Sequence, residues 1–368
     1  MQDSKASDVM GTGAVGNGLS AALPAEKKRY EWIDNARIVA AFLIMYVHVP
    51  LFFPADAFFN NSTISTLLFD TTFRGRVPFF LILAGYFLAR NITWAKALDR
   101  FIWLFVPFTL WNILMGVMLY LLKQPVSWHG LWGIGSIFKA EWCPFGHGIS
   151  MPFLSPSWFL RDIMILSLLT PLIIRLKRIL PAILVLYAIF WRNNDLNLHI
   201  GMNITLAPET CFFYLVGVCL VSFRIDDAFR IFNKRFTPVC AVLLVAAVVF
   251  GIWIHHGLAM DFPITLLGML VGAMMIAHSG VLIEKHLPKL SKMMAPLGPA
   301  CFLVFMLHIP VFMIIGGIIP KSIMHSPWSL MLPFPTFAFI CIFFLLMKKY
   351  TPWLMPYLAH MKIKPRKG

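Results

Sequence analysis

Apolar residues in this chain fall in long runs separated by short basic clusters, and that pattern limits what the chain can fold into. Hydrophobic residues make up 59% of the 368 and charged residues only 13%. A soluble domain carries about 25% charge. A segment that crosses a bilayer must satisfy its backbone hydrogen bonds internally, so runs of this length read as membrane helices. The expected fold is an all-α integral membrane protein, a bundle of about ten transmembrane helices. The spans are placed near 34–53, 66–89, 101–122, 158–174, 179–191, 208–223, 236–254, 262–279, 299–319 and 327–347. Residues 1–30 are expected to form a flexible polar cytoplasmic tail, 31–350 the transmembrane domain and 351–368 a basic cytoplasmic tail. No cleavable signal stands out, so the first apolar run reads as a retained span.

Basic residues orient the bundle. With the N-terminus inside, 23 Lys and Arg fall in cytoplasmic segments and six on the outer side. That bias alternates loop by loop and predicts an N-in, C-in topology. It also accounts for the net charge of +15. Basic loops beside anionic membrane lipid leave nucleic acid with no part to play as a partner.

Two polar residues interrupt the first run, Arg37 and His48. They are eleven positions apart. At about 100° per residue this is about 20° past three full turns, so they share a helix face about 16 Å apart along the axis. Asp34 lies one turn before Arg37 on nearly the same face. Charge at membrane depth is expensive and normally faces a protein interior or a water-filled cavity. The stripe therefore reads as a working surface.

Some spans look short or broken around a central cavity. The clean apolar part of the second, Val77 to Ala89, is only about 20 Å of helix against a core of about 30 Å. Extending it brings Asp70, Arg74, Arg76 and Pro78 to membrane depth. Irregular charged backbone is tolerated there only inside protein or beside water, so Arg76 is expected in a cavity. The longest connection, 123–157, is outer and rich in Trp, Gly and His: Trp128-His129-Gly130, Trp142-Cys143-Pro144 and Gly146-His147-Gly148. Such a loop suits a lid or binding element. Its aromatics suit sugar stacking or interfacial anchoring equally.

Other polar positions carry two readings each. His308, about 15 Å into the ninth span, is either a helix–helix hydrogen bond or a second imidazole working with His48. Arg161 and Asp162 open the fourth span beside Trp158, either as an interfacial ion pair or as part of a site. Glu209 suits the first turn of its helix through the dipole. Arg175 and Arg178 form a positive-inside anchor and a ready site for phosphates, with Arg90 and Arg100 as a second pair. No metal spacing, P-loop, dinucleotide fingerprint or nucleophile elbow is present, so no metal is expected. The cysteines suggest no disulfide framework.

Taken in order, these residues resemble the membrane-bound acyltransferase family 3. Arg37 and His48 match its first-span pattern of Arg, ten residues, then His, and Trp32 to Arg37 resembles its lead-in. Arg76-Val77-Pro78-Phe79-Phe80 through Gly85-Tyr86 resembles its second-span segment, with Ala84 where Ser is common. Arg175 and Arg178 match a cytoplasmic Arg-x-x-Arg pair. Ser157-Trp158-Phe159-Leu160 and Leu307-His308-Ile309-Pro310 resemble later landmarks. The resemblance implies a multi-pass enzyme of the bacterial inner membrane. Such an enzyme takes an acyl group, usually acetyl, from cytoplasmic acyl-CoA. It places that group on a sugar hydroxyl of an exported or lipid-linked polysaccharide.

On that reading His48 is the base, because acyl transfer to an alcohol needs one and histidine suits it. Asp34 or a nearby group orients the stripe, Arg37 holds the donor or an acid, and the acceptor enters from the outer side past Arg76. Arg175, Arg178, Arg90 and Arg100 receive the acyl-CoA phosphates. His308, Trp158, Arg161 and Asp162 contact the acceptor or support the site. A transporter or flippase for an anionic or sugar-linked substrate would use the same buried residues and is the alternative.

Overall fold

A computed structural model describes residues 30–49, 75–124, 152–190, 198–200, 204–206, 208–223, 242, 261–324 and 326–359. The seventh expected span, most of the 123–157 loop, the first part of the second span and residues 1–29 and 360–368 lie outside the described residues.

The described chain is helical but for one short hairpin. The longer helices are α1 (Glu31–Val47), α2 (Arg76–Ala89), α3 (Trp94–Leu121), α4 (Trp158–Ile173) and α5 (Leu180–Phe190). After strands β1 (Leu198–Ile200) and β2 (Ile204–Leu206) come α6 (Pro208–Cys219), α7 (Asp261–His286) and α8 (Pro288–Met294). The last are α9 (Ala300–Ile318), α10 (Lys321–Met324), α11 (Pro333–Tyr350) and α12 (Met355–Leu358). Single 3-10 turns lead into α4 at Ser155–Ser157 and into α11 at Pro327–Met331. The antiparallel hairpin pairs His199 with Thr205.

Four helical stretches are long and apolar enough to cross a membrane: Trp94–Leu121, Gly268–His286, Ala300–Ile318 and Trp328–Tyr350. Two shorter apolar helices cover Arg76–Ala89 and Glu209–Ser222. Large apolar side chains such as Ile102, Ile113, Val117, Phe339 and Ile342 point outward from α3 and α11. In water they would form a large sticky patch, and in lipid they face a matched solvent.

Several helix limits differ from the expected spans. The third helix starts at Trp94 and not at 101, so Lys96, Asp99 and Arg100 lie on it and not in a loop. Thr93 caps its first turn by accepting from the Lys96 N–H at 3.3 Å, and Asn91 reverses the chain just before with φ 56°. The eighth runs on to His286 and takes Lys285 with it. Residues 352–358, expected in a tail, form short helices that pack on α3, where Trp111 Nε1 donates to the Leu358 carbonyl at 3.0 Å.

Helix α1 is central and packs on α2, α7, α8 and α9. Small residues allow the closest crossings. A Cβ at Gly85 would strike the Tyr214 carbonyl, and one at Gly217 would strike the Ile82 carbonyl, so α2 and α6 cross backbone to backbone. Gly280 of α7 lies the same way against Trp32 and Ala36 of α1.

Candidate active site

Helix α1 runs out at His48, whose backbone N–H reaches back to the Met45 carbonyl at 3.1 Å. Pro50 follows in the sequence, and the residue before a proline is biased away from helix. The His48 ring is partly buried. It meets the ring of His308, on α9, with centroids 4.9 Å apart and planes inclined at 61°. His308 is fully buried.

Each ring is oriented by its own helix. His48 Nδ1 lies 2.7 Å from the Ile44 carbonyl, and His308 Nδ1 lies 2.8 Å from the Val304 carbonyl. A carbonyl oxygen only accepts, so Nδ1 carries the proton in both. Nε2 of each neutral ring is then a lone pair. Nε2 of His308 is buried without a hydrogen-bond partner.

Arg76, the first residue of α2, is close enough for its charge to act on His48. The third and fourth residues into that helix are buried Pro78 and Phe79; a proline in the first turn costs no backbone bond. Aromatic rings continue from the histidine pair. Phe305 lies 6.4 Å from His308 and 5.2 Å from Phe159, which in turn contacts Phe80 at 6.4 Å and Trp158 at 6.3 Å. Helices α1, α2, α4 and α9 thus converge here.

Arg161 and Asp162 follow Trp158 on α4. They are packed inside the bundle, Arg161 being 3% exposed and Asp162 0%. Arg161 donates to Asp162 Oδ1 from Nε at 3.1 Å and from Nη2 at 2.9 Å. Burial is tolerable because each charge cancels the other.

Asp34 and Arg37 stand at the other end of α1 as an ion pair 3.6 Å apart. The loop before α9 closes on them: a Cβ at Gly298 would collide with the Asp34 carboxylate. Arg37 and Asp34 also act electrostatically on buried Cys301 of α9. Arg90, Arg100, Arg175 and Arg178 are all exposed. Arg100 acts on Tyr214, whose hydroxyl lies 2.5 Å from Thr170 near the end of α4. Tyr86, near the end of α2, donates to the Phe223 carbonyl at 3.1 Å. These links hold the ends of α2, α4 and α6 and the start of α3 at one end of the bundle.

So His48, His308 and Arg76 come together, with Trp158 joined through the aromatic rings. Asp34 with Arg37 forms a separate station, and the four arginines a third. Sequence reasoning gave Phe305, Phe159 and Phe80 no site role, because their type is ordinary in a membrane helix. It missed Asn112. This buried side chain donates to Ser157 Oγ at 3.0 Å and the Phe108 carbonyl at 2.8 Å, and accepts from the Leu154 N–H at 2.9 Å. It fixes the turn that launches Trp158. An asparagine inside a long apolar run was the available signal.

The fold and site define a helical membrane protein in which a half-buried and a buried imidazole meet and a guanidinium acts on the first. The acyltransferase domain family model matches residues 30–348, and the chain belongs to that family, the membrane acyltransferases of family 3. No curated protein and no solved structure matches the chain.

Proposed function

We propose that the protein transfers an acyl group, acetyl in our reading, from acyl-CoA to a hydroxyl of a sugar in an exported or lipid-linked polysaccharide. The observation that carries this is the histidine pair beside Arg76. An imidazole that gives its Nδ1–H to a backbone carbonyl holds Nε2 ready as a base.

In the step, the sugar oxygen bonds to the thioester carbonyl carbon while His48 Nε2 takes the hydroxyl proton. The C–S bond then breaks, and the departing thiolate receives the proton from His48. Positive charge at Arg76 is suited to the oxyanion that forms between these events. Arginines at Arg90, Arg100, Arg175 and Arg178 suit the phosphates of the donor, since guanidinium pairs well with them. Arg37, at the other end of α1 from His48 and paired with Asp34 at 3.6 Å, is suited to hold part of the donor.

The membrane arrangement belongs to the proposal too: about ten spans, N-in and C-in, in a bacterial inner membrane. It rests on the distribution of 23 basic residues against six. The donor enters from the cytoplasm, and the glycan from the outer side past the 123–157 loop.

Deleting the gene and measuring ester groups on exported and lipid-linked glycans tests the reading. An ester should disappear while soluble acylated metabolites stay unchanged. The reverse result rejects the glycan acceptor. Purified protein that moves a sugar-linked substrate without consuming acyl-CoA makes it a transporter instead.

A further inference from the structure

His308 has no task in the step above, yet the structure keeps it at a cost. A fully buried acceptor without a donor loses its water and gains nothing in return. A leucine or phenylalanine would pack beside Phe305 and Phe312 without that penalty. The Val304 carbonyl holds the ring so that the empty position is Nε2. The titratable ring of His48 lies 4.9 Å away. Both neutral rings offer a lone pair at Nε2, so neither satisfies the other. One added proton changes that, because a protonated His48 becomes a donor at Nε2.

We propose that His308 is a positioning residue that accepts a hydrogen bond from His48 once His48 has taken the acceptor's proton, so the two imidazoles share one proton during transfer. The inference rests on His48 being the base, as above. The proton leaves the sugar hydroxyl for His48 Nε2, is shared with Nε2 of His308, and passes to the CoA thiolate as the C–S bond breaks. The rings keep no proton, and no other reactant is needed. His48, half-buried, is the ring the hydroxyl can reach, and fully buried His308 is not. Arg76 is the cation acting on His48, so a second positive charge arriving there needs an acceptor to delocalise it. An ordinary helix–helix hydrogen bond would leave Nε2 satisfied in the resting protein, and it is not.

The test uses full-length protein in lipid nanodiscs. Release of free CoA thiol from acetyl-CoA is followed with a glycan extract of the producing cells as acceptor. His308→Leu should lower kcat about 10- to 100-fold, the worth of one hydrogen bond to a charged group, while KM for acetyl-CoA stays within about twofold and thermal stability holds or rises. His308→Gln, whose amide oxygen reaches a similar position, should recover most of the lost kcat; His308→Met replaces the leucine variant where that fails to fold. Wild-type kcat in a folded His308→Leu or His308→Met protein, with His48→Ala inactive, overturns the inference and leaves the base assignment standing. Full activity of His48→Ala instead removes the base assignment. Loss of kcat in both the leucine and glutamine variants assigns His308 a packing role and also overturns the inference.

Discussion

Arg37 and His48 stand on one face of α1 and address the same neighbour, α9, at two levels. Arg37 acts on Cys301, and His48 packs against the ring of His308. Cys301 and His308 are seven positions apart and so also share a face. The two helices therefore run in parallel, with a polar station at each end of their seam. That separation, about 16 Å along α1, makes a direct partnership between Arg37 and His48 impossible.

The first prediction follows for His48. Truncation to alanine should remove about 10² to 10⁴ of acyl-transfer rate, the range for losing a general base. Insertion and thermal stability should hold, since the ring is only partly buried. Turnover of acetyl-CoA by folded variant protein decides it; wild-type rates exclude His48 as the base.

Arg76 calls for geometry as well as charge. It opens α2 beside His48, where a planar guanidinium suits an oxyanion or carboxyl oxygen and a lysine does not match it. Arg76→Ala should abolish turnover, and Arg76→Lys should recover little. Lys123→Ala, at the exposed end of α3, should be close to neutral. Full activity in Arg76→Lys reduces the requirement to charge alone.

Much of the bundle was legible in the sequence because apolar run length alone marks a membrane helix. Residues 158–174 and 299–319 were expected, and α4 and α9 occupy 158–173 and 300–318. Limits failed where a helix leaves the apolar zone still wound. Lys96, Asp99 and Arg100 continue α3 because Thr93 caps it, and hydropathy does not register a cap. The shared face of Arg37 and His48 came from helical periodicity, which says nothing about the neighbour it meets. Contact between His48 and His308 is a tertiary fact joining two distant segments. The burial of Arg161 with Asp162 is likewise set by packing around α4.

Donor binding gives a separate prediction. Arg175 and Arg178 are exposed in the turn after α4, so replacing both with glutamine should leave the fold intact. The apparent KM for acetyl-CoA should rise more than kcat falls. Unchanged donor affinity in calorimetry on the double variant would shift the phosphate site to Arg90 and Arg100.

Asn112 should matter to stability. Its side chain makes three hydrogen bonds in a buried site, and an alanine would leave the Leu154 N–H and Ser157 without their partner. Each orphaned polar group costs about 1–3 kcal/mol. Asn112→Ala should therefore lower the melting temperature in nanodiscs and loosen Trp158. A variant melting with the wild type would show that water or another group takes over.

The buried pair on α4 allows structure and chemistry to be separated. Removing one partner leaves a charge inside the bundle, so Asp162→Ala should destabilise by about 3–5 kcal/mol. Replacing both by apolar residues of similar size, Arg161→Met with Asp162→Leu, removes the uncompensated charge. That double variant should regain most of the lost stability, because a buried pair adds little over good packing. Its activity then has a clean meaning. If the pair only braces α4, acyl transfer should return with stability. If Arg161 or Asp162 touches the acceptor, the stable double variant should stay inactive, with its KM for acetyl-CoA unchanged. A double variant no more stable than Asp162→Ala would refute the view that the pair is held by mutual neutralisation. Their further contacts in the interior would then carry the weight.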